Sequence, residues 1–210
     1  MAEQAPGITA IIPIKNLADS KTRLAPELSP ERRANLVLGM LRRVILAIQG
    51  SSIDQFWVVG GDDRVRNLAL DMNGLWFEEM GRNLNDTLGK AFDQAFERGS
   101  SALYLPGDLP FLKPADLYSL ITATRRQNNI TLAPARRDGG TNGILVPLGI
   151  PFRPQLGDRS FTRHLALAAT SKISVAICYS TGLGFDLDIP EDLETYQHIE
   201  PGLLDRLAPQ

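Results

Sequence analysis

Three cationic side chains lie within nine residues directly after the first apolar segment of the sequence. They are Lys15, Lys21 and Arg23, and the segment before them, residues 8–12, is rich in isoleucine, which is typical of a buried strand. We expect Pro13 to end that strand, so that the three cations lie on the loop that follows it. Fixed positive charges at a strand end are suited to binding phosphate groups. A solvent-exposed basic turn has the same composition, so the interpretation depends on a second feature.

Carboxylates at two later positions supply that second feature. Asp108 follows the apolar segment 102–106 and lies beside Gly107, which allows close approach of the backbone, and Asp186 and Asp188 alternate in an extended segment. Alternate residues of an extended chain point to the same side. Carboxylate oxygens are the hard ligands that suit Mg2+, with phosphate and water oxygens completing the octahedron. We therefore predict a Mg2+ site next to the cationic loop, formed by Asp108 with one or both of Asp186 and Asp188.

The acidic residues also have structural interpretations. Asp108 could cap a helix that follows Pro114, and Asp188 could cap a helix that begins at Pro190. We expect the second capping role whether or not Asp188 also binds a metal. A cationic loop and carboxylates at the ends of neighbouring strands, taken together, favour a metal–nucleotide site.

Two further loops carry groups that bind small anions. Residues 138–143 contain three glycines and Thr141, and residues 157–161 contain Gly157 and Ser160 ahead of a predicted helix. Backbone N–H groups and hydroxyls at a helix N-terminus suit a phosphate or a carboxylate. An ordinary hairpin turn and an ordinary helix cap explain the two loops equally well, so both interpretations stay open on local grounds.

The chain offers no obvious catalytic base. Its two histidines, His164 and His198, do not lie in a pattern typical of a nucleophile–base pair, and we assign structural roles to both. Such a site suits a nucleophile that is already charged, and a phosphomonoester, with a second pKa of about 6, is one at neutral pH. Its attack on the α-phosphorus of a nucleotide needs alignment and charge neutralisation, which metals, lysine and arginine supply.

Strand and helix patterns alternate along the first hundred residues. A helix is predicted from a Ser29 cap and Pro30 to Gly50, because apolar residues recur at helical spacing between them. Asn85 or Asp86 is predicted to cap a later helix. Strands that alternate with helices pair in parallel and are covered by helices on both faces.

The pattern changes from residue 130. Apolar segments at 130–135 and 144–147, joined by a glycine-rich turn over 136–143, indicate a hairpin and therefore a mixed sheet. The sequence thus predicts an α/β fold, a three-layer α/β/α sandwich with a mixed, mostly parallel sheet, in a single domain over residues 1–210.

Composition restricts the class of protein. With 210 residues, 43% of them hydrophobic, the chain is long enough for a sizeable core, and its net charge of −2 argues against nucleic-acid binding. The single cysteine, Cys178, excludes an intrachain disulfide framework. Neither a signal segment nor a membrane-spanning segment is recognisable, so we expect a cytoplasmic protein with no membrane partner. The oligomeric state, a homodimer included, is left open.

These segments, taken in order, resemble the 2-phospho-L-lactate guanylyltransferase family of coenzyme F-420 biosynthesis. The most specific part is the opening block, residues 12–15 and 20–24 with 28–29 and 31–32. The resemblance extends over nearly the whole chain, through 84–88, 107–110, 141–143, 157–161 and 186–193. The aspartate segments are shared across the wider nucleotidyltransferase fold.

The resemblance implies a GT-A-like, Rossmann-related nucleotidyltransferase fold and an enzyme that uses GTP and Mg2+. Such an enzyme joins GMP to the phosphate of a three-carbon phosphoacid and releases pyrophosphate. The implied acceptor is 2-phospho-L-lactate, phosphoenolpyruvate or 3-phospho-D-glycerate, and no residue chooses among them. The preference for guanine comes from the resemblance alone.

The resemblance also implies roles for individual residues. The phosphoacid-binding positions are Thr141, Gly157 and Ser160, and the metal site consists of Asp108, Asp186 and Asp188. The GTP phosphates are expected to meet Lys15, Lys21 and Arg23, which with Asp108 form the catalytic set. Asn85 is expected to contact the nucleoside.

Three other classes of protein fit parts of this pattern less well. Molybdopterin guanylyltransferase-like and sugar-phosphate nucleotidyltransferases of this fold usually carry a glycine-rich segment after the first strand, whereas residues 15–19 contain no glycine. A glycosyltransferase of similar architecture would have an Asp-x-Asp motif after a central strand, where residues 107–109 contain one Asp. A non-catalytic nucleotide-binding module would not require the three acids together with the cationic loop.

Overall fold

A seven-stranded sheet forms the centre of the computed structural model, which describes residues 6–124 and 128–209. Its strand order is β3-β2-β1-β4-β6-β5-β7. The strands are β1 (Ile8–Ile14), β2 (Gln55–Gly60), β3 (Leu75–Phe77), β4 (Ser101–Tyr104), β5 (Ile130–Pro134), β6 (Thr141–Val146) and β7 (Val175–Ile177).

Eight α-helices accompany the sheet within these residues. They are α1 (Pro30–Gln49), α2 (Asp63–Asp71), α3 (Leu84–Glu97), α4 (Pro114–Thr122), α5 (Ser160–Thr170), α6 (Thr181–Gly184), α7 (Pro190–Ile199) and α8 (Leu203–Leu207). The start of α1 agrees with the prediction, since Ser29 accepts a hydrogen bond from the backbone N–H of Arg32 and Gly50 follows the last turn.

The sheet is mixed and mostly parallel, as predicted. Strands β3, β2, β1 and β4 pair in parallel, and so do β5 and β7, whereas β6 runs antiparallel to both β4 and β5. The antiparallel direction of β6 has a consequence for the site. Because Tyr104 pairs with Ile144, the residues that follow β4 run beside the residues that begin β6.

Helices cover both faces of the sheet, which confirms the three-layer sandwich. Adjacent residues of β1 show the division, because Ile12 packs in the core under α1 and α2, whereas Ile11 packs in the core under α3 and α5. Both side chains are fully buried. Alternation along a central strand therefore supplies two cores from one apolar segment.

The prediction that Pro13 ends the first strand was wrong. Strand β1 continues to Ile14, and Pro13 pairs in register with Val59 of β2. The carbonyl of Ile11 faces β4 and accepts a hydrogen bond from the N–H of Leu105, directly after that strand. Pro13 lies two residues later, so its backbone nitrogen faces the same side, at a point beyond the end of β4. Its missing N–H therefore removes no ladder hydrogen bond.

Two predicted helix caps were also wrong. Helix α3 is capped by Asn83, whose side chain accepts from the backbone N–H of Asp86, rather than by Asn85 or Asp86. Helix α7 has Ile189 at its N-cap position, and the carboxylate of Asp192 accepts from the backbone N–H groups that precede the helix. The side chain of Asp188 is therefore free to face the cleft.

The predicted turn over residues 136–143 is shorter than expected. Strand β6 begins at Thr141, so Thr141, Asn142 and Gly143 belong to the strand, and the first two are buried. No helix within residues 6–124 and 128–209 has the length and apolar character needed to cross a membrane.

Candidate functional site

A cleft of about 530 Å³ lies at the carboxyl ends of β1 and β4. This is the edge at which open α/β sheets bind ligands. Half of the predicted site residues line it, namely Lys15, Lys21, Arg23, Asp108 and Asp188. The cations and the acids, remote in sequence, are thus neighbours in the structure.

The cationic loop is held in place by buried leucines. Two single-turn 3-10 helices, Leu17–Asp19 and Thr22–Leu24, form the loop, and each contributes one leucine to the core. Ser20 fastens the junction by donating a hydrogen bond to the carbonyl of Asn16, 2.9 Å away. Lys21 lies between the two turns with a left-handed backbone, φ 50°. The apolar anchors leave the cations on the cleft side.

The ammonium group of Lys21 bridges two of the predicted metal ligands. Its Nζ contacts the carboxylate of Asp108 and lies 2.7 Å from Oδ1 of Asp188, and only 9% of its side chain is exposed. Burial alone would lower the pKa of Lys21, but the two carboxylates outweigh it and raise the pKa above the ordinary lysine value. Lys21 is therefore a fixed positive charge at the centre of the acidic group.

One backbone contact brings the two acidic segments together. The N–H of Leu187 donates to the carbonyl of Asp108 at 3.2 Å, and the Leu187 side chain is fully buried in the core. Because successive residues of an extended segment point to opposite sides, burial of Leu187 leaves Asp186 and Asp188 on the side away from that core. The alternation expected from the sequence is what the structure shows.

The acidic group carries more negative charge than Lys21 neutralises. Burial, followed by the charge of Asp108, raises the pKa of Asp186 to about 6, although its carboxylate accepts a hydrogen bond from Asn142 at 3.1 Å. Oδ1 of Asp108 is buried and has no hydrogen-bond partner among the described residues. An unpartnered carboxylate oxygen and unbalanced charge are the properties of a site that fits a divalent cation.

The three carboxylates are not already assembled around a common point. Within residues 6–124 and 128–209, no three Asp, Glu, His or Cys side chains are grouped closely enough to hold a metal ion. The position between Asp108 and Asp188 is taken by the Lys21 ammonium instead. A metal ion bound by both carboxylates would therefore have to displace the Lys21 ammonium from its position between them.

Thr141, Gly157 and Ser160 form a second group beside the cleft. Ser160 Oγ donates to Thr141 Oγ1 at 3.2 Å, and the Ser160 backbone N–H donates to the Gly157 carbonyl at 3.1 Å. Gly157 has a φ of 127°, a conformation that favours glycine. Thr141 begins β6 and Ser160 begins α5, so the antiparallel strand brings this group to the same edge of the sheet as Asp108.

Asn85 lies at a third place, where it supports a loop. Its side-chain amide donates to the carbonyl of Leu156 at 3.0 Å and accepts from the N–H of Leu156 at 2.7 Å. Both polar atoms are therefore used by the backbone directly before Gly157. The nucleoside contact expected for Asn85 stays a prediction.

Sequence reasoning missed several residues of the site. Arg137 lies 3.7 Å from Asp188 and 3.4 Å from Asp192, so it adds a cation to the acidic group. Thr87, which lines the cleft from α3, has a buried hydroxyl with no partner in the described part of the chain. The available signal for Arg137 was its position within the glycine-rich turn, whereas nothing in the sequence distinguishes Thr87 from other helical threonines.

His164 is the fourth residue that joins the Thr141 group. It is fully buried, and its Nδ1 lies 3.0 Å from Thr141 Oγ1, so its role differs from core packing alone. Burial, with a smaller contribution from the charge of Arg163, lowers the pKa of His164 to about 4. The imidazole is therefore neutral at physiological pH.

Comparison with curated proteins gives relatives over most of the chain. A phosphoenolpyruvate guanylyltransferase of Rubrobacter xylanophilus is 35% identical over 189 residues, which cover 89% of this chain and 91% of the relative. A 3-phospho-D-glycerate guanylyltransferase of Phenylobacterium zucineum is 33% identical, covering 87% and 86%. A 2-phospho-L-lactate guanylyltransferase of Methanothermobacter thermautotrophicus is also 33% identical, covering 88% and 81%.

Solved structures support the fold. A Desulfovibrio desulfuricans protein described as a nucleotide-diphospho-sugar transferase matches with a TM-score of 0.78 at 15% identity, covering 97% of this chain and 92% of the other. A nucleotidyl transferase of Methanothermobacter thermautotrophicus matches with a TM-score of 0.65 at 16% identity, covering 96% and 99%. These similarities establish a nucleotidyltransferase-like fold.

The family profile described as "Guanylyl transferase CofC like" matches residues 8–199. That range contains both groups of site residues, from Lys15 in the cationic loop to Asp188 in the acidic segment. The resemblance stated from the sequence is confirmed. The chain belongs to the CofC-like guanylyl transferase family.

Proposed function

We propose that this protein transfers GMP from GTP to the phosphate of a three-carbon phosphoacid and releases pyrophosphate. The observation that carries the proposal is the contact of Lys21 with Asp108 and Asp188, in a cleft at strand ends, in a chain of this family. The relatives named above act, by their names, on three different phosphoacids. The product would be an intermediate of coenzyme F-420 biosynthesis, as the resemblance implies.

The reaction is an in-line displacement at phosphorus. A phosphate oxygen of the acceptor forms a bond to the α-phosphorus of GTP, and the bond from that phosphorus to the oxygen shared with the β-phosphate breaks. Pyrophosphate leaves with the electron pair. The attacking phosphate is already ionised at neutral pH, so no general base is required, which agrees with the neutral, buried His164.

The cations of the cleft have a direct role in this scheme. Lys15, Lys21 and Arg23 would neutralise the triphosphate and the charge that develops on the leaving pyrophosphate. We propose that Mg2+ is held by Asp108 with Asp186 and Asp188, where it would supply further charge neutralisation and orient phosphate oxygens. Lys21 would then exchange its carboxylate partners for phosphate oxygens.

The acceptor is assigned to the second group. Thr141, Ser160 and Gly157 would hold the anionic groups of the phosphoacid through hydroxyl and backbone donors. The same strand end reaches the acidic group, because Asn142, the next residue of β6, donates to Asp186. An acceptor held at the start of β6 would therefore lie at the same edge of the sheet as the phosphates of a nucleotide in the cleft.

The deciding experiment follows pyrophosphate release with Mg2+ and GTP. Each of 2-phospho-L-lactate, phosphoenolpyruvate and 3-phospho-D-glycerate is tested separately, with ATP and CTP as nucleotide controls and product masses determined in parallel. We expect release with GTP and at least one acceptor. Release without any acceptor, or with all nucleotides equally, would contradict the proposal, and silence with all three acceptors would move it to another acceptor on the same fold.

A further inference from the structure

Both ring nitrogens of His164 have partners within the described residues. The backbone N–H of Gln155 donates to Nε2 at 2.8 Å, and Nδ1 lies 3.0 Å from Thr141 Oγ1. The ring is fully buried and packs edge-on against Phe152, with centroids 5.9 Å apart. His164 is thus held in one orientation by packing and by two hydrogen bonds.

The Gln155 contact determines which nitrogen carries the proton. A backbone N–H can only donate, so Nε2 must present its lone pair. A neutral imidazole has one N–H, and it must then be on Nδ1. His164 therefore donates to Thr141 Oγ1 rather than accepting from it.

This direction decides what the hydroxyl of Thr141 can do. Its oxygen accepts from His164 Nδ1 and from Ser160 Oγ, which uses both lone pairs. Its own hydrogen is left over, and no residue within 6–124 and 128–209 accepts it. If the proton of His164 were on Nε2 instead, the Thr141 hydroxyl would donate its hydrogen to Nδ1. The Ser160 and Thr141 hydroxyls would then both be used as donors, and neither could donate to a ligand.

We propose that His164 is a positioning residue that keeps the Thr141 hydroxyl available as a donor to an anionic oxygen of the acceptor. The proposal rests on the proposed function, because it takes Thr141 and Ser160 as the residues that hold the phosphoacid. It adds a residue to that site which does not itself touch the substrate. A purely structural histidine would need only its contacts with Phe152 and Gln155.

A matched pair of variants separates the two ring nitrogens. In His164→Asn the side-chain amide nitrogen takes the place of Nδ1 and can donate to Thr141, but nothing accepts from Gln155. In His164→Gln the amide reaches the place of Nε2 and can accept from Gln155, but nothing donates to Thr141. Kinetics of pyrophosphate release are measured for both, with the acceptor and GTP varied in turn.

We expect His164→Gln to raise the acceptor KM by about tenfold or more, because the Thr141 hydroxyl, without a donor at Nδ1, is no longer held with its hydrogen directed at the charged oxygen of the acceptor. His164→Asn should stay within about threefold of the unmodified protein, and the GTP KM should change little in either variant. His198→Gln, in an exposed histidine of α7, is the control and should leave both KM values unchanged. Equal acceptor effects in the two His164 variants would overturn the proposal.

A second measurement needs no activity. Nitrogen-15 correlation spectra of the imidazole of the unmodified protein distinguish the two neutral tautomers, and we expect the proton on Nδ1. A proton on Nε2 would overturn the proposal whatever the kinetics. Failure of the proposed function would look different. The unmodified protein would then release no pyrophosphate with any acceptor, although its spectra show the proton on Nδ1. In that case the role of His164 toward a phosphoacid would be withdrawn.

Discussion

Lys21 and Asp188 are 167 positions apart in the sequence and form an ion pair, with Lys21 Nζ 2.7 Å from Asp188 Oδ1. The same ammonium contacts Asp108, so one lysine is shared by two carboxylates at the end of the central strands. The contact holds the two carboxylates close together, and both ion pairs use the same ammonium group of Lys21. Its consequences can be measured.

Replacement of Lys21 by methionine should destabilise the protein. Asp108 and Asp188 would lose their shared cation while partly buried, and we expect a loss of about 1–3 kcal/mol in the free energy of unfolding, between the values for exposed and fully buried pairs. Urea unfolding measures it. Mg2+ should restore more stability in this variant than in the unmodified protein. Lys90→Met, which removes the exposed contacts of Lys90 with Asp86 and with the Met80 carbonyl, is the control and should cost clearly less stability than Lys21→Met.

The same Lys21 variant should weaken productive binding of GTP. Loss of a charge-assisted hydrogen bond to a phosphate should lower kcat/KM for GTP by a factor equivalent to about 1.5–3 kcal/mol of free energy. Steady-state kinetics with the acceptor saturating give the value. Unchanged GTP kinetics would mean that the loop is an ordinary basic turn.

Asp108→Asn should remove activity and keep the fold. The amide has the shape of the carboxylate but lacks its charge, so we expect kcat to fall by about a hundredfold or more. The free energy of unfolding should stay within about 1 kcal/mol, because Lys21 keeps Asp188 as a partner. Asp205→Asn, in an exposed residue of α8, is the control. Near-normal turnover in Asp108→Asn would contradict a role of this residue in the proposed Mg2+ site.

Ser160→Ala should act on the acceptor. Its hydroxyl is buried beside Thr141, and its loss should raise the acceptor KM by about tenfold while the GTP KM changes little. Ser119→Ala removes an exposed hydroxyl of α4 and should leave both values unchanged. A larger effect on GTP would show that the two substrate positions have been exchanged.

Asn85→Ala distinguishes the two roles considered for this residue. If Asn85 holds the Leu156 backbone ahead of Gly157, the acceptor KM should rise about fivefold, because displacement of a binding loop costs on the order of 1 kcal/mol. A rise confined to the GTP KM would support the nucleoside contact instead. Both constants come from one set of assays.

The free energy of unfolding should depend on pH through the titration of His164. The pKa of His164 in the folded protein, about 4, lies below the ordinary value of 6.5. Between these two pH values His164 is therefore protonated in the unfolded chain and neutral in the folded protein. His164 therefore stabilises the fold above pH 6.5, and this contribution is lost as the pH falls toward 4. Relative to His164→Gln, the unmodified protein should lose about 2–3 kcal/mol between pH 7 and pH 4.5. Parallel stability curves for the two proteins would contradict the assignment.

Much of the fold could be predicted from local patterns. Alternation of apolar strands with amphipathic helices indicated a parallel sheet covered on both faces, and the glycine-rich turn indicated the hairpin of β5 and β6. Details that depend on a single backbone conformation could not be predicted as well. Asn83, Asn85 and Asp86 are all suitable caps by residue type, and only the extended backbone of Asn83 makes it the one that is used.

The sequence by itself determined that the cations of the loop and Asp108 would meet, because groups that directly follow buried parallel strands lie at the same carboxyl edge of the sheet. It could not determine how those groups pair. The Lys21 contact with Asp188 and the His164 contact with Thr141 depend on how loops from separate elements pack, and the antiparallel direction of β6 brings Thr141 to this edge. Hydrogen bonds act over about 3 Å, so only the tertiary structure decides which of several suitable partners is within reach.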